Sequence, residues 1–156
     1  MAEPVTSTRD FETFYRRAWR DAARWATALT GNRAIGEEIA QDAFVRLGSR
    51  FAELRNPDGY LRVTVVNLAR SSMRSSGRRE EREQRAAVGD VAVQHLDDGL
   101  LAALDRLSYE QRAVLVLRYW ADWDEAAIAE ALDCQPSTVR SHARRALVLL
   151  RKEIER

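Results

Sequence analysis

Four residues near the C-terminus have the types and spacing to read DNA: Arg140, Ser141, Arg144 and Arg145. On a helix advancing about 100° per residue they fan across one side. Val139, Ala143, Ala146, Leu147 and Leu150 make an apolar core face opposite. Arginine carries a planar fork of donors that matches guanine in the major groove, so Arg140, Ser141 and Arg144 are expected to reach base edges. Arg145, Arg151 and Lys152 extend the basic side, and His142 lies at its margin, where it could touch the DNA backbone. Pro136 suits the first turn of such a helix. Free N–H groups around Pro136, Ser137 and Thr138 are expected to bind a phosphate.

A second constellation lies earlier in the chain. Asn67, Arg70, Arg74 and Arg78 fall within roughly 80° of one another on a helix, a stripe suited to tracking phosphates with one base reader. A third is of another kind. Glu38, Gln41, Asp42 and Val45 share the side of a helix opposite Ile39, Ala40, Ala43, Phe44 and Leu47, and a mixed acidic and apolar patch suits a protein partner. Catalytic chemistry finds no footing. Two histidines, His95 and His142, and the single Cys134 offer no metal constellation. There is no glycine-rich phosphate loop and no Ser/His/Asp pattern. Glu37 and Glu38 diverge by about 100° on a helix and make a poor acid/base pair. The expectation is therefore no catalytic residue, no metal and no cofactor.

The elements that must position these residues are helices. The 156 residues hold only seven glycines and three prolines, and Ala, Arg, Leu and Glu dominate, which favours helix. A helix is expected over 10–29, with Phe11, Phe14, Tyr15, Ala18, Ala22, Trp25, Ala26 and Leu29 on one face, stopped by Thr30-Gly31-Asn32. A second is expected over 35–50. Arg55 to Tyr60 reads as a turn closed by Asp58-Gly59, and a third helix runs to about Ser75 with Leu61, Val65, Leu68, Ala69 and Ser72 buried. A short helix is expected over 96–107, carrying Leu100, Leu101, Leu104 and Leu107. Ser108 with Gln111 forms a capping box for a helix running to Trp120, and Asp124 caps the next. Ala126, Ile128, Ala129 and Leu132 are expected to pack that helix. The tight turn after it, Asp133-Cys134-Gln135, ordinarily wants glycine for positive φ, with Asp133 a tolerated substitute. Cys134 fills an apolar position there and reads as a core thiol.

Net charge is only +1, but it is segregated. Residues 61–86 carry net +4, residues 97–133 net −6, and residues 134–156 net +4. Two basic islands flanking an acidic block suggest two places of contact with polyanion. The charged stretch 75–94 lacks a sustained apolar stripe and reads as a linker. No apolar run reaches membrane-spanning length, no signal peptide opens the chain, and one cysteine excludes an internal disulfide, so the expected compartment is the cytoplasm, without membrane insertion.

Taken in order, the motifs resemble a known family. F-E-T-F-Y-R-R followed by A-L-T-G-N-R-A-I-G-E-E-I-A-Q-D-A-F-V-R-L is similar to regions 2.1–2.2 of the extracytoplasmic-function (group IV) sigma factors of bacterial RNA polymerase. N-P-D-G-Y-L-R-V-T-V-V-N-L-A-R resembles regions 2.3–2.4. L-D-R-L-S-Y-E-Q-R-A-V-L-V-L-R-Y, A-I-A-E-A-L and S-T-V-R-S-H-A-R-R-A-L resemble region 4. The resemblance covers about residues 10–78 and 97–152. It implies an all-α fold of two small helical domains, region 2 over 1–77 and a helix-turn-helix region 4 over 96–156, joined by a flexible linker over 78–95. It implies that Glu38, Gln41, Asp42 and Val45 bind core polymerase at the β′ clamp helices, with a further contact to the β flap. Asn67, Arg70, Arg74 and Arg78 would serve the minus-10 element, and the loop from Phe51 to Asp58 would receive a flipped base. Pro136, Ser137, Thr138, Arg140, Ser141, His142, Arg144 and Arg145 would serve the minus-35 element. The linker would thread the polymerase channel, and an anti-sigma protein would cover both domains. Ala40, in place of a larger aliphatic residue, and Asp133, in place of the turn glycine, depart from the family pattern. The competing reading is a stand-alone helix-turn-helix regulator, which would bind palindromic half-sites without polymerase.

Overall fold

The computed structural model describes residues 3–75 and 98–155, with side chains from 8 and from 102 onward in the two stretches. The expected linker, Arg78, His95 and Leu96 lie outside the described residues, as do the side chains of Leu100 and Leu101. Seven α-helices appear among the described residues: α1 (Glu3–Thr30), α2 (Arg33–Arg50), α3 (Pro57–Ser75), α4 (Asp98–Asp105), α5 (Tyr109–Leu115), α6 (Glu125–Leu132) and α7 (Pro136–Ile154). The fold is all-α, with no strand among the described residues.

Local sequence sets most boundaries. Gly31 ends α1 with φ 73°, donating its N–H to the Thr27 carbonyl at 2.6 Å. Asn32 then caps α2, accepting from the Ile35 N–H at 3.0 Å. α1 begins earlier than the expected residue 10. The Asp58-Gly59 pair does not close a turn. It lies in the first turn of α3, because Pro57 pre-sets the helical φ and the Asn56 side chain caps the Gly59 N–H at 3.0 Å. The Ser108/Gln111 capping box forms in both directions, and Asp124 caps the Ala127 N–H at 2.7 Å.

One expected helix changes character. After Leu115 the chain widens into a π-helical turn over Val116–Trp120, with the Ala121 N–H donating to the Val116 carbonyl at 2.9 Å. The Trp123 N–H reaches the Leu117 carbonyl at 2.8 Å, and Asp122 takes φ 61° between them. This widening turns Trp123 inward, where it is buried.

α1, α2 and α3 pack together, and α4, α5 and α6 pack around α7. Gly36 lies where α2 crosses α1 so closely that a Cβ would stand 2.3 Å from Thr27 Oγ1 and 2.6 Å from its backbone nitrogen. The two groups share one apolar core. Phe14, Leu29, Phe44, Leu61, Val65 and Val66 belong to the same buried cluster as Val114, Leu117, Trp123, Ile128 and Val139. A smaller cluster joins Leu104, Leu107, Leu115 and Ala146, with Leu150 packed on it. Several expected core residues are not fully buried. Leu68, Ser72 and Leu150 are half-buried, with Val66 buried on α3 instead; Tyr15 is 39% exposed, Ala126 is exposed with Ala131 in its place, and Leu147 is 43% exposed. On α6 the buried residues are Ile128, Ala129, Ala131 and Leu132, toward its C-terminal end, and Ala126 near its start stays outside. Each fully buried Leu or Ile contributes about 1.5–3 kcal/mol, against about 0–1 kcal/mol for an exposed ion pair. The shared core therefore dominates cohesion.

Candidate nucleic-acid interface

The outer face of α7 is built from its turn upward. α6 ends with Asp133 at φ 53°, ψ 53°. The Cys134 N–H reaches back to the Ala129 carbonyl at 3.0 Å and the Asp133 N–H to Glu130 at 3.3 Å, the pair of bonds that closes a Schellman turn. Cys134 occupies the apolar position of that motif, packed against the main core. Burial, and then the charge of Asp133, push its thiol up, so it stays protonated. Pro136 opens α7 without a side-chain cap. The expected phosphate seat is narrower than the sequence suggests: Pro136 has no N–H, and the Thr138 N–H donates to the Gln135 carbonyl at 2.9 Å.

Val139, Ala143 and Ala146 pin α7 to the core. Arg140, Ser141, Arg144 and Arg145 all stand exposed. Arg140 is paired with Glu125 at the start of α6, which ties its guanidinium to that helix. No ion pair engages Arg144 or Arg145 among the described residues, so these two cations are open to a polyanion. His142 is half-buried, with Nδ1 shielded from solvent and without a hydrogen-bond partner among the described residues. It belongs to the margin of the face, not its centre.

On α3, Asn67 and Arg74 are exposed, and Asn67 accepts from Arg70 Nη1 at 3.1 Å. Arg70 is different: its side chain is only 19% exposed and its Nε lies 3.5 Å from Glu110 Oε1. The expected four-residue stripe is therefore split, with Asn67 and Arg74 outward, Arg70 drawn inward, and Arg78 outside the described residues. On α2, Glu38, Gln41, Asp42 and Val45 share an exposed face. Asp42 pairs with Arg46 at 3.4 Å, and Val45 is 72% exposed, an apolar side chain uncovered by the described residues. Among the described residues no cluster of His, Cys, Asp and Glu could hold a metal ion, and no helix is long and apolar enough to cross a membrane.

Comparison with known proteins decides what these faces belong to. The family described as Sigma-70, region 4, matches residues 97–150, which span α4 to α7. Along nearly the whole chain, the sequence is 33% identical over 153 residues to the RNA polymerase sigma-E factor of Streptomyces avermitilis, covering 94% of this chain and 86% of that one. The chain belongs to the extracytoplasmic-function sigma factors. The ECF RNA polymerase sigma factor SigL of Mycobacterium tuberculosis is 28% identical, over 85% of this chain and 81% of its own. The fold is shared with the sigma factor RpoE of Bartonella quintana, solved with the anti-sigma factor NepR (TM-score 0.74, 22% identity, 94% of this chain and 98% of that one). It is also shared with CnrH, solved with the cytosolic domain of CnrY (TM-score 0.71, 22% identity, 95% of this chain and 89% of that one). The sigma factor thus acts in transcription initiation, with RNA polymerase and promoter DNA as its partners.

Sequence reasoning missed the seam that joins the two helix groups of this sigma factor. The Tyr109 hydroxyl donates to the Val66 carbonyl at 2.7 Å. Buried Arg112 donates from Nε to the Ala28 carbonyl at 3.1 Å and pairs with Asp105 at 3.0 Å. Trp25 and Trp123 meet edge to face at 5.0 Å, Arg24 covers the Trp120 ring and Arg62 the Trp123 ring. One signal was present: Arg112 directly precedes the apolar run Ala113–Leu117, where a charge is expected only with buried partners.

Proposed function

We propose that this sigma factor recognises promoters at two points and has no catalysis of its own. α7 serves the minus-35 element through Arg140, Ser141, Arg144 and Arg145, with Pro136, Ser137, Thr138 and His142 at its margin. α3 serves the minus-10 element through Asn67, Arg70, Arg74 and Arg78, and the loop from Phe51 to Asp58 receives a base from the opened strand. Glu38, Gln41, Asp42 and Val45 dock on the β′ clamp helices of core polymerase, while the second helix group meets the β flap. On this reading residues 1–77 and 96–156 act as two domains tethered by 78–95, working in the cytoplasm. The observation that carries it is the outer face of α7, where Arg144 and Arg145 stand exposed, with no ion pair among the described residues, beyond a Schellman turn and within the stretch matching region 4. The exposed Val45 beside Glu38 and Asp42 supports a protein-binding role for α2. That the solved neighbour RpoE was captured with the anti-sigma factor NepR supports an anti-sigma protein for this chain as well.

The test is reconstitution with core polymerase on promoters recovered by polymerase pull-down. Arg144→Ala is expected to weaken minus-35 recognition by about 1–3 kcal/mol per lost base contact, leaving core binding intact. Asn67→Ala is expected to leave closed-complex formation intact and slow strand opening, read by permanganate reactivity. Loss of core affinity alone in both variants would show that these faces point at polymerase, not DNA.

A further inference from the structure

We propose that Glu110 acts as an internal stand-in for a DNA phosphate at Arg70, so that the second helix group must release α3 before Arg70 can contact DNA. The inference rests on the reading of α3 as a DNA-contacting helix and adds a built-in competitor to it. Arg70 is the one described member of the α3 stripe that is not open. Its Nε lies 3.5 Å from Glu110 Oε1, its guanidinium carbon lies 5.6 Å from the centre of the Tyr109 ring, and its Nη1 is tied to Asn67. A carboxylate and an aromatic face are the partners a guanidinium takes in place of a phosphate and a base. Both come from the start of α5, and Tyr109 is locked on α3 by its bond to the Val66 carbonyl, one residue before Asn67. With only 19% of its side-chain surface free, Arg70 offers little to a phosphate while Glu110 and Tyr109 hold it.

The seat is also built to release. Arg70 Nε is shielded from solvent yet makes no hydrogen bond among the described residues, since Glu110 stands at ion-pair distance but outside bonding geometry. A buried donor without a hydrogen bond weakens the closed arrangement. A polyanion supplies that bond and competes with Glu110 for the same charge. Arg74, one turn further along α3 and exposed, can make first contact without any opening. Closed and open chains therefore differ by about one phosphate contact.

The experiment uses the full chain and a fluorescein-labelled single-stranded 20-mer of random sequence, because phosphate contacts are sequence-independent. Fluorescence anisotropy is read from low to moderate salt. Glu110→Gln keeps the shape and removes the competing charge. It is expected to tighten binding about threefold to fivefold, the size of losing one modest ion pair, and to steepen the salt slope by about 0.7, one further contact on a single strand. Tyr109→Phe loosens the seam without changing charge and is expected to move affinity in the same direction. Adding Arg70→Ala to Glu110→Gln should abolish the gain. If Arg70→Ala weakens the wild type while Glu110→Gln and Tyr109→Phe change nothing, α3 contacts DNA without release and this inference is wrong. If Arg70→Ala is silent in every background, the assignment of α3 to DNA fails with it. Thermal unfolding of each variant confirms that a change in affinity is not a change in folded fraction.

Discussion

Asp133 holds the turn on which α7 depends. Its left-handed backbone costs a side-chain-bearing residue roughly 1 kcal/mol more than it costs glycine, and the Schellman bonds from Cys134 and Asp133 hold it there. Asp133→Gly is expected to raise stability by up to about 1 kcal/mol, or about 2–4 °C in Tm for a chain of this size. Asp133→Ala, which keeps the strain and loses the short polar side chain, should lower it. Both are read by thermal denaturation, with DNA affinity of Asp133→Gly unchanged. A fall in Tm for Asp133→Gly would mean that the turn is held by something other than its backbone. This much was legible in the sequence, because helical periodicity on both sides leaves three residues for the turn and Pro136 marks its end. The state of Arg70 was not legible. Periodicity assigns a residue to a helix face, but Arg70 is taken inward by Glu110 and Tyr109, forty residues downstream.

Among elements, the crossing of α1 and α2 is the tightest join. Gly36 is buried there, and its missing Cβ is what lets α2 rest on Thr27. Gly36→Ala is expected to destabilise by about 1–3 kcal/mol or more, in spite of the better helix propensity of alanine. The second variant discriminates the cause. Thr27→Ala removes the Oγ1 contact, but the added Cβ would still stand 2.6 Å from the Thr27 nitrogen and 2.7 Å from its Cα. Gly36→Ala with Thr27→Ala should therefore remain well below Thr27→Ala alone in urea denaturation. Full recovery in the double variant would place the clash in the side chain only. Capping signals at Ser108 and Asp124 made the starts of α5 and α6 readable, because each is satisfied within three residues of chain. The π-helical turn at Val116–Trp120 was not readable, since burying Trp123 against Trp25 is a demand from another part of the molecule.

At the scale of the whole molecule, the shared core implies that the two helix groups unfold together, and Tyr109 reports on the seam between them. Its hydroxyl is pushed far above its ordinary value by burial, which outweighs the opposing charges of Arg70 and Arg112. The folded state therefore holds the proton more tightly than the unfolded state. Stability from this group is whole below the unfolded value of about 10 and is lost progressively as pH rises above it. Tyr109→Phe removes that titration and the bond to the Val66 carbonyl. The variant is expected to be less stable by about 1 kcal/mol at neutral pH, and to lose less as the solution is made alkaline. Denaturant midpoints measured from pH 8 to pH 11 should bring the two proteins together at the alkaline end. Parallel curves would show that Tyr109 titrates as freely as an exposed phenol, with α5 already off α3. Convergence would place the alkaline sensitivity at the contact that also withholds Arg70, so that a rise in pH and a polyanion would open the same joint by different means.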